Sequence, residues 1–391
     1  MPLSSLIQSR RVILCAGSGG VGKTTTAAAI GLAAARLGRR TLCLTIDPAK
    51  RLAQSLGLDR FDTDARLVEP SLFRDADLVV PGSLTVMMLD TKRTFDQIVE
   101  RHASSPEARD RILHNKLYHY VSTALAGTQE YMAMEKLHEV KQSPDFDLIV
   151  LDTPPTANAL DFLDAPERMI DALDSAAMRW FLQAFQSTGR LSFNLLARSA
   201  ALAIRGIGRF TGGGFLEDLA AFLAELNDLF GGFRQRAREV ELSLRAPDVA
   251  FVLVSSTSPL ATAEALFFAD RLASMRMSCD ALVVNRVHLP PRFTPSESDI
   301  SAAISRSRLP LGPAASMRLL SALRDELREA ELDERRLRSL DESLRRFANP
   351  PLRVDVPAFP RDVHDLSALD QIARVLVRQL QTTSPDACHH V

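Results

Sequence analysis

The amino-acid sequence predicts an α/β fold with a doubly wound, mostly parallel sheet. Short apolar runs rich in β-branched residues recur along the 391 residues, and helical patterns separate most of them. A glycine-rich loop directly follows the first of these runs. The predicted strands are Val12–Cys15, Leu42–Ile46, Leu84–Leu89, Leu148–Leu151, Val249–Val254, Ala281–Val284 and Leu352–Val356.

The glycine-rich loop has the sequence GSGGVGKTT and lies between the first strand and an Ala-rich helix. Its spacing matches G-x-x-x-x-G-K-[ST], in which backbone N–H groups surround a β-phosphate and the lysine reaches the β- and γ-phosphates. The hydroxyl after the lysine ligates Mg²⁺, and the next helix directs its positive end at the anion. The loop therefore predicts a nucleotide site that comprises Gly17, Gly19, Gly20, Val21, Gly22, Lys23, Thr24 and Thr25.

Polar residues end several of the predicted strands. Ligands in open α/β sheets bind beyond the carboxyl ends of the strands, so these residues are the first candidates for chemistry. Asp152 is expected to hold Mg²⁺ through water, on the metal that Thr24 ligates. The strand-end residues are Asp47, Asp90, Asp152 and Asn285.

Hydrolysis of a γ-phosphoryl group requires a metal, a positioned water and positive charge on the transition state. Lys23 supplies charge at the phosphates. Asp47 follows the strand after the loop helix, so we expect it beside the γ-phosphate, where it would orient or deprotonate the attacking water. An alternative role for Asp47 is to cap the next helix.

Two long stretches, residues 91–142 and 161–246, interrupt the alternation, and both have helical patterns. We expect them to form a helical subdomain inserted into the nucleotide-binding core. The core would then comprise residues 1–90, 143–160 and 247–391. The Pro- and Ser-rich stretch Pro290–Pro313 is predicted to be a loop.

The second helical stretch contains a basic segment, Ser175–Leu216, which has no Asp or Glu. At 100° per residue, Arg198, Arg205 and Arg209 fall within about 40° of one another. One interpretation is a subdomain helix with a single solvated basic face. The other is a surface that binds an apolar partner helix or an anionic membrane.

Charge and composition limit the classes of function. Lys and Arg number 47 and Asp and Glu 48, a formal charge of −1 that argues against a protein built to coat nucleic acid. No apolar run reaches membrane-spanning length, and a cytoplasmic protein is the simplest expectation. The cysteines lie too far apart for a disulfide framework, a zinc site or a thiolate cluster for arsenite; they are Cys15, Cys43, Cys279 and Cys388.

Six runs in chain order resemble one family of proteins: the arsenite-pump ATPases and the tail-anchored-protein targeting factors, and especially the actinobacterial-type anion-transporting ATPases. The resemblance covers most of the chain. The runs are GSGGVGKTT, TIDPAKRLAQSLG from Thr45, AGTQEYMAMEKL from Ala126, LDTPPTANALDFL from Leu151, VVNRV from Val283 and VPAFPRDVHDL from Val356.

This resemblance implies roles for individual residues. Asp47 would be the water-activating aspartate of switch I, and Asp152 the magnesium-associated aspartate that opens switch II. Asn285 would read the adenine edge, and the segment around Pro357 would pack against the base. Glu130 would belong to an acidic pair near a dimer interface. ATP and Mg²⁺ would be the ligands, and ATP turnover in a nucleotide-clamped dimer would move helical subdomains that carry a client site.

One loop residue departs from the family pattern. Where the family usually has GKGGVGKT, with a lysine that crosses to the partner's nucleotide, this chain has Ser18. A homodimer would then hydrolyse ATP slowly unless Lys50 or Arg51 supplies the missing charge, because such a charge is worth about 10³ to 10⁵ in rate. The alternative is a heterodimer with a paralogue that keeps the lysine.

The leading hypothesis is a Mg²⁺-ATPase that acts as a conformational switch, with a helical subdomain that binds a hydrophobic or membrane-associated protein client. A second hypothesis is a regulatory or scaffolding subunit that binds ATP but turns it over little. A partition ATPase that binds DNA or membrane, and a small-molecule kinase, are further alternatives. The long helical insertion does not favour the first of these, and the DPA and DTPP runs fit a switch ATPase better than a kinase.

Overall fold

The computed structural model describes residues 2–46, 52, 56, 64–115, 118, 122, 128–153, 163–165, 167–168, 171, 235–290, 295–307 and 315–378. Several features of the sequence analysis lie outside these residues: Asp47, Lys50, Arg51, the basic segment Ser175–Leu216 and Cys388.

The described residues form one sheet whose strands are parallel except for a short antiparallel strand at one edge. The order across the sheet is β3-β4-β2-β5-β1-β6-β7-β8. The predicted α/β class and every predicted strand are confirmed, and only the two-residue β3 was not predicted. The strands are β1 Val12–Gly17, β2 Arg40–Thr45, β3 Arg66–Leu67, β4 Ser83–Met88, β5 Leu148–Asp152, β6 Val249–Ser256, β7 Cys279–Val287 and β8 Leu352–Pro357.

Helices cover both faces of the sheet. They are α1 Leu3–Ser9, α2 Lys23–Arg36, α3 Pro70–Asp75, α4 Thr91–His102, α5 Pro106–Leu113, α6 Thr128–Gln142, α7 Pro259–Ser274, α8 Glu297–Ser307, α9 Ala315–Leu344 and α10 Leu366–Val377. Residues 235–244 are also helical. No helix within the described residues is long and apolar enough to span a membrane.

Strand β1 is buried on both faces because it lies at the centre of the sheet. Val12 and Leu14 belong to one apolar layer, whereas Ile13 and Cys15 belong to the other. This explains why its sequence is a continuous apolar run rather than an alternating one. Since the chain winds outward from β1 in both directions, the carboxyl end of β1 lies at the point where ligands bind in such sheets.

Small residues bring α2 close to the sheet. The alanines of α2 are almost entirely buried, and a Cβ at Gly31 would overlap the Cys43 sulfur in β2. The opposite side of α2 packs against α1 and α10. The helix that follows the glycine-rich loop is therefore held on all sides, which fixes the direction in which its N-terminus points.

Helices α4, α5 and α6 fill the part of residues 91–142 that is described, as the sequence predicts. Tyr131, Met132 and Met134 of α6 share an apolar layer with Leu14 of β1. Asp90 is the N-cap of α4, because its side chain accepts a hydrogen bond from the Arg93 amide at 2.9 Å. The boundaries of an inserted subdomain remain a prediction.

The prediction of a loop over Pro290–Pro313 is wrong for Glu297–Ser307, which forms α8 and packs against α9. A capping box starts this helix. Ser296 Oγ accepts from the Asp299 amide at 3.2 Å, and the Asp299 carboxylate accepts from the Ser296 amide at 2.9 Å. The abundance of Ser and Pro hid this local signal, which is a strong helix start.

A buried carboxylate joins α9 to the ends of two strands. Asp333 of α9 accepts hydrogen bonds from the His288 amide and the His288 ring, both at 2.9 Å, and from the Thr257 side chain. Arg336 lies 3.4 Å from its other oxygen. Burial alone would raise the pKa of Asp333, but the hydrogen bonds from Thr257 and His288 outweigh it and hold the pKa below its ordinary value.

We expect Asp333→Asn to lower the free energy of unfolding by about 2 kcal/mol at pH 7, because the amide cannot accept all of these donors. A carboxylate whose pKa is lowered in the folded state stabilises the protein above the unfolded-state pKa, about 3.9. The stability lost in the variant should therefore shrink as the pH falls below about 4. Urea unfolding of both proteins across this range measures it, and a constant difference would contradict the assignment.

Candidate functional site

The glycine-rich loop follows β1 and contains a close backbone approach that only glycine permits. A Cβ at Gly17 would overlap the carbonyl oxygen of Val254 in β6. Gly20 and Gly22 have φ values of 78° and 93°, which L side chains rarely adopt. By contrast, a Cβ at Gly19 or Gly20 would have no atom within 4 Å. The loop therefore packs tightly on its sheet side and leaves open space on the side where the predicted phosphates would lie.

Lys23 is the first residue of α2, and its side chain folds back over the loop. Its Nζ donates to the Ser18 carbonyl oxygen at 2.8 Å, and the side chain is buried. An ammonium has three donors, so a lysine at this position can bond to the loop and to phosphate oxygens at the same time. Thr25 is half-buried in the same first turn. The structure thus brings together the loop glycines, Lys23 and the N-terminus of α2.

Asp152, at the end of β5, accepts two hydroxyl groups on one carboxylate oxygen. Thr24 Oγ1 lies 2.7 Å and Thr45 Oγ1 3.0 Å from Asp152 Oδ2. A hydroxyl and a carboxylate side by side are ligands that Mg²⁺ accepts, together with waters and nucleotide phosphates. The donor set at Thr24 and Asp152 therefore fits the predicted metal.

Thr45 is a site residue that the sequence analysis did not assign. It ends β2, which lies beside β5, so its hydroxyl faces the end of that strand. A sequence signal for Thr45 was available, because Thr45 opens the TIDPA run.

A second unassigned contact lies next to Thr45: Gln129 of α6 donates to the Ile46 carbonyl oxygen at 3.2 Å. Glu130 follows Gln129 and is half-buried.

Asn285 reaches the loop from a bulge near the end of β7. Its Nδ2 donates to the Val21 carbonyl oxygen at 2.9 Å, and its Oδ1 accepts from the Arg286 amide at 3.0 Å. The register between β7 and β8 shifts here, and Arg286 has a φ of 58°. Such a bulge redirects a side chain at the end of a strand. Pro357 lies in register with Val287, at the same edge of the sheet.

Ser18 is buried, and its hydroxyl donates to the carboxylate of Glu264 in α7. The side chain at this position is thus directed into its own chain. The sequence analysis identified Ser18 as a departure from the family pattern but did not predict its partner.

The described cysteines are buried in strands. Burial raises the pKa of Cys15 well above its ordinary value, with a further contribution from the charge of Asp152, and burial also raises the pKa of Cys43. The pKa of Cys279 is raised to about 12, chiefly by burial. Thiols that remain protonated are weak nucleophiles and weak metal ligands.

Comparison with known proteins agrees with this geometry. Residues 10–298 match the family described as anion-transporting ATPases, and this match spans most of the chain. The chain belongs to that family. It is an ATPase, and the loop of Gly17–Thr25 lies within the matched part.

Three fungal relatives are each named "ATPase get3". The protein of Schizosaccharomyces japonicus is 25% identical over 289 residues, which cover 72% of this chain and 76% of the relative. That of Aspergillus terreus is 24% identical over 291 residues, 74% of this chain and 77% of the relative. That of Pyrenophora tritici-repentis is 24% identical over 301 residues, 75% of this chain and 79% of the relative.

The contact between Asn285 and Val21 leads to a test of what Asn285 does in this ATPase. We expect Asn285→Ala to weaken binding of ATP and of GTP by the same factor, about 10-fold, because the loop loses a buried anchor. A further loss confined to ATP would measure the adenine contact that the family resemblance implies. Unchanged binding of both nucleotides would contradict the anchoring role. Calorimetric titration with each nucleotide makes the comparison.

Proposed function

We propose that this ATPase depends on Mg²⁺ and uses its cycle of ATP binding and hydrolysis as a conformational switch. The observation that carries the proposal is the carboxylate of Asp152, which holds hydroxyls from both the phosphate loop and the end of β2. A change in the ligands of this carboxylate would act on Thr24 and Thr45 together. The nucleotide state would thereby reach the segment that begins at Ile46.

In the proposed reaction, the loop amides and Lys23 bind the β- and γ-phosphates, while the N-terminus of α2 stabilises their charge. Thr24 and Asp152 would hold Mg²⁺, which neutralises charge on the β- and γ-phosphate oxygens when bound. Asp47, two residues after Thr45 in the chain, would orient the attacking water. Thr45 would keep the Asp152 carboxylate in its orientation.

We further propose that the helical stretches respond to the nucleotide and bind a hydrophobic or membrane-associated protein client. Support comes from Gln129, which joins α6 to the Ile46 carbonyl next to Asp47. Helix α6 also packs on α4, so a displacement at the end of β2 would be transmitted to both helices. The acid-free basic segment is the proposed client or membrane surface, and no role for nucleic acid is proposed.

A dimer is the proposed working form, either of two copies of this chain or with a paralogous ATPase. The heterodimer follows from Ser18, which carries no charge that could reach a partner's nucleotide. The same residue favours a second function: a regulatory or scaffolding subunit that binds ATP with little turnover. The Ser18 hydroxyl bonded to Glu264 of its own chain is the specific observation that favours this alternative.

We expect purified protein to hydrolyse ATP in a Mg²⁺-dependent manner and Lys23→Ala to abolish this, because that variant lacks the phosphate-binding ammonium. Thr45→Val should raise the Mg²⁺ concentration for half-maximal rate about 10-fold, as loss of a group that orients a metal ligand does. Thr41→Val, elsewhere in β2, is the matched control. Steady-state phosphate release measures all four proteins. Wild-type turnover equal to that of Lys23→Ala, with ATP still bound, would establish the regulatory subunit instead.

The dimer is tested by the native mass of the protein isolated from its host with Mg²⁺ and a non-hydrolysable ATP analogue. A heterodimer with a lysine-bearing paralogue is expected if the charge at position 18 is needed in trans. A homodimer that turns over ATP would direct mutagenesis to Lys50 and Arg51. A monomer under these conditions would contradict the proposed assembly.

A further inference from the structure

Ser18 makes two contacts that converge on the phosphate loop. Its hydroxyl donates to Glu264 Oε2 of α7, and its carbonyl oxygen accepts from Lys23 Nζ at 2.8 Å. One residue thus connects a helix outside the loop to the ammonium that the loop presents to phosphates. Ser18 is buried, and its backbone links the hydroxyl that bonds to Glu264 with the carbonyl that bonds to Lys23.

We propose that Glu264 is a positioning residue for nucleotide binding. By accepting the Ser18 hydroxyl, Glu264 fixes the orientation of the Ser18 peptide, and the Ser18 carbonyl in turn fixes where the Lys23 ammonium lies. In this proposal Glu264 acts through Ser18 and not by direct contact with the nucleotide. The inference rests on the proposed Mg²⁺-dependent function, because it needs the loop to bind a nucleotide.

The surroundings of Glu264 support this role. Helix α7 starts directly after β6, and β6 provides the Val254 carbonyl against which Gly17 packs. The β6–α7 unit therefore supports two consecutive loop residues, Gly17 through close backbone packing and Ser18 through a hydrogen bond. Glu264 is half-buried in the first two turns of α7, so its carboxylate is held near the loop by a helix that is itself anchored in the core.

The negative charge of Glu264 would have the opposite effect on nucleotide binding from its hydrogen bond, and a variant can separate the two effects. A carboxylate near a polyphosphate would weaken nucleotide binding by repulsion if its charge were the dominant effect. As a hydrogen-bond acceptor for Ser18, it strengthens binding instead. A glutamine separates the two effects, because its amide carbonyl still accepts the serine hydroxyl but has no charge.

The test is the dissociation constant of MgADP, measured by calorimetry on the full chain. Ser18→Ala and Glu264→Ala should each bind MgADP about 10-fold more weakly, as expected for loss of a charge-assisted hydrogen bond that orders the site. The double variant should bind no more weakly than either single variant, because both remove the same bond. Glu264→Gln should remain within about 3-fold of wild type.

Ser274→Ala and Glu329→Ala are the matched controls, since both residues are exposed and lie away from the loop, and they should bind as wild type does. Circular dichroism and thermal midpoints close to wild type would show that the loop variants fold. Tighter binding by Glu264→Ala, additive losses in the double variant, or a glutamine variant as weak as alanine would overturn the positioning role. If the wild type binds MgADP and both alanine variants bind it equally well, only the positioning role is overturned. If the wild-type chain binds no MgADP, the proposed function is overturned as well.

Discussion

The carboxylate of Asp152 is the contact on which the rest of the site depends. It lies where three neighbouring parallel strands end, and it accepts hydroxyls from Thr24 beyond β1 and from Thr45 at the end of β2. Both hydroxyls reach the same oxygen, so the loop and β2 cannot move independently while the carboxylate holds them. A metal that recruits Thr24 would compete directly with this arrangement. In the proposed switch, the atoms that would hold the metal for hydrolysis would also be the atoms that sense the nucleotide.

This junction requires a rigid sheet beneath it. The strands that bring Thr45 and Asp152 together are buried on both faces, and α2 lies so close to β2 that only glycine fits at position 31. Close packing leaves little freedom for small adjustments, so the proposed switch would act by displacing whole segments. Ile46, which follows β2 and is held by Gln129, is the first place where such a displacement could leave the sheet.

The sequence predicted the strands and the phosphate loop because both depend on local patterns. Apolar runs identify buried strands, and the glycine spacing identifies a phosphate loop wherever it follows a strand. The prediction of a loop over Pro290–Pro313 was wrong for Glu297–Ser307, because the Pro- and Ser-rich composition was given more weight than the capping box of Ser296 and Asp299. Thr45 and Glu264 were missed for a different reason. Thr45 reaches Asp152 through the register between β2 and β5, so the run that it opens marks the segment but not this contact. Glu264 reaches Ser18 from a helix more than 200 residues along the chain from the loop, which no local pattern indicates.

The position of Ser18 shows why a family pattern does not transfer one residue at a time. The resemblance assigns this position to a lysine that acts across a dimer, so its replacement by serine reads as the loss of a charge. In the structure, however, Ser18 is engaged with Glu264 of its own chain. A lysine introduced here would meet that carboxylate before it could reach a second molecule, and the resulting ion pair would oppose its release. The serine and the glutamate therefore form a matched pair. If a positive charge acts on the nucleotide of a partner molecule, it has to come from a position where no carboxylate of the same chain forms an ion pair with it.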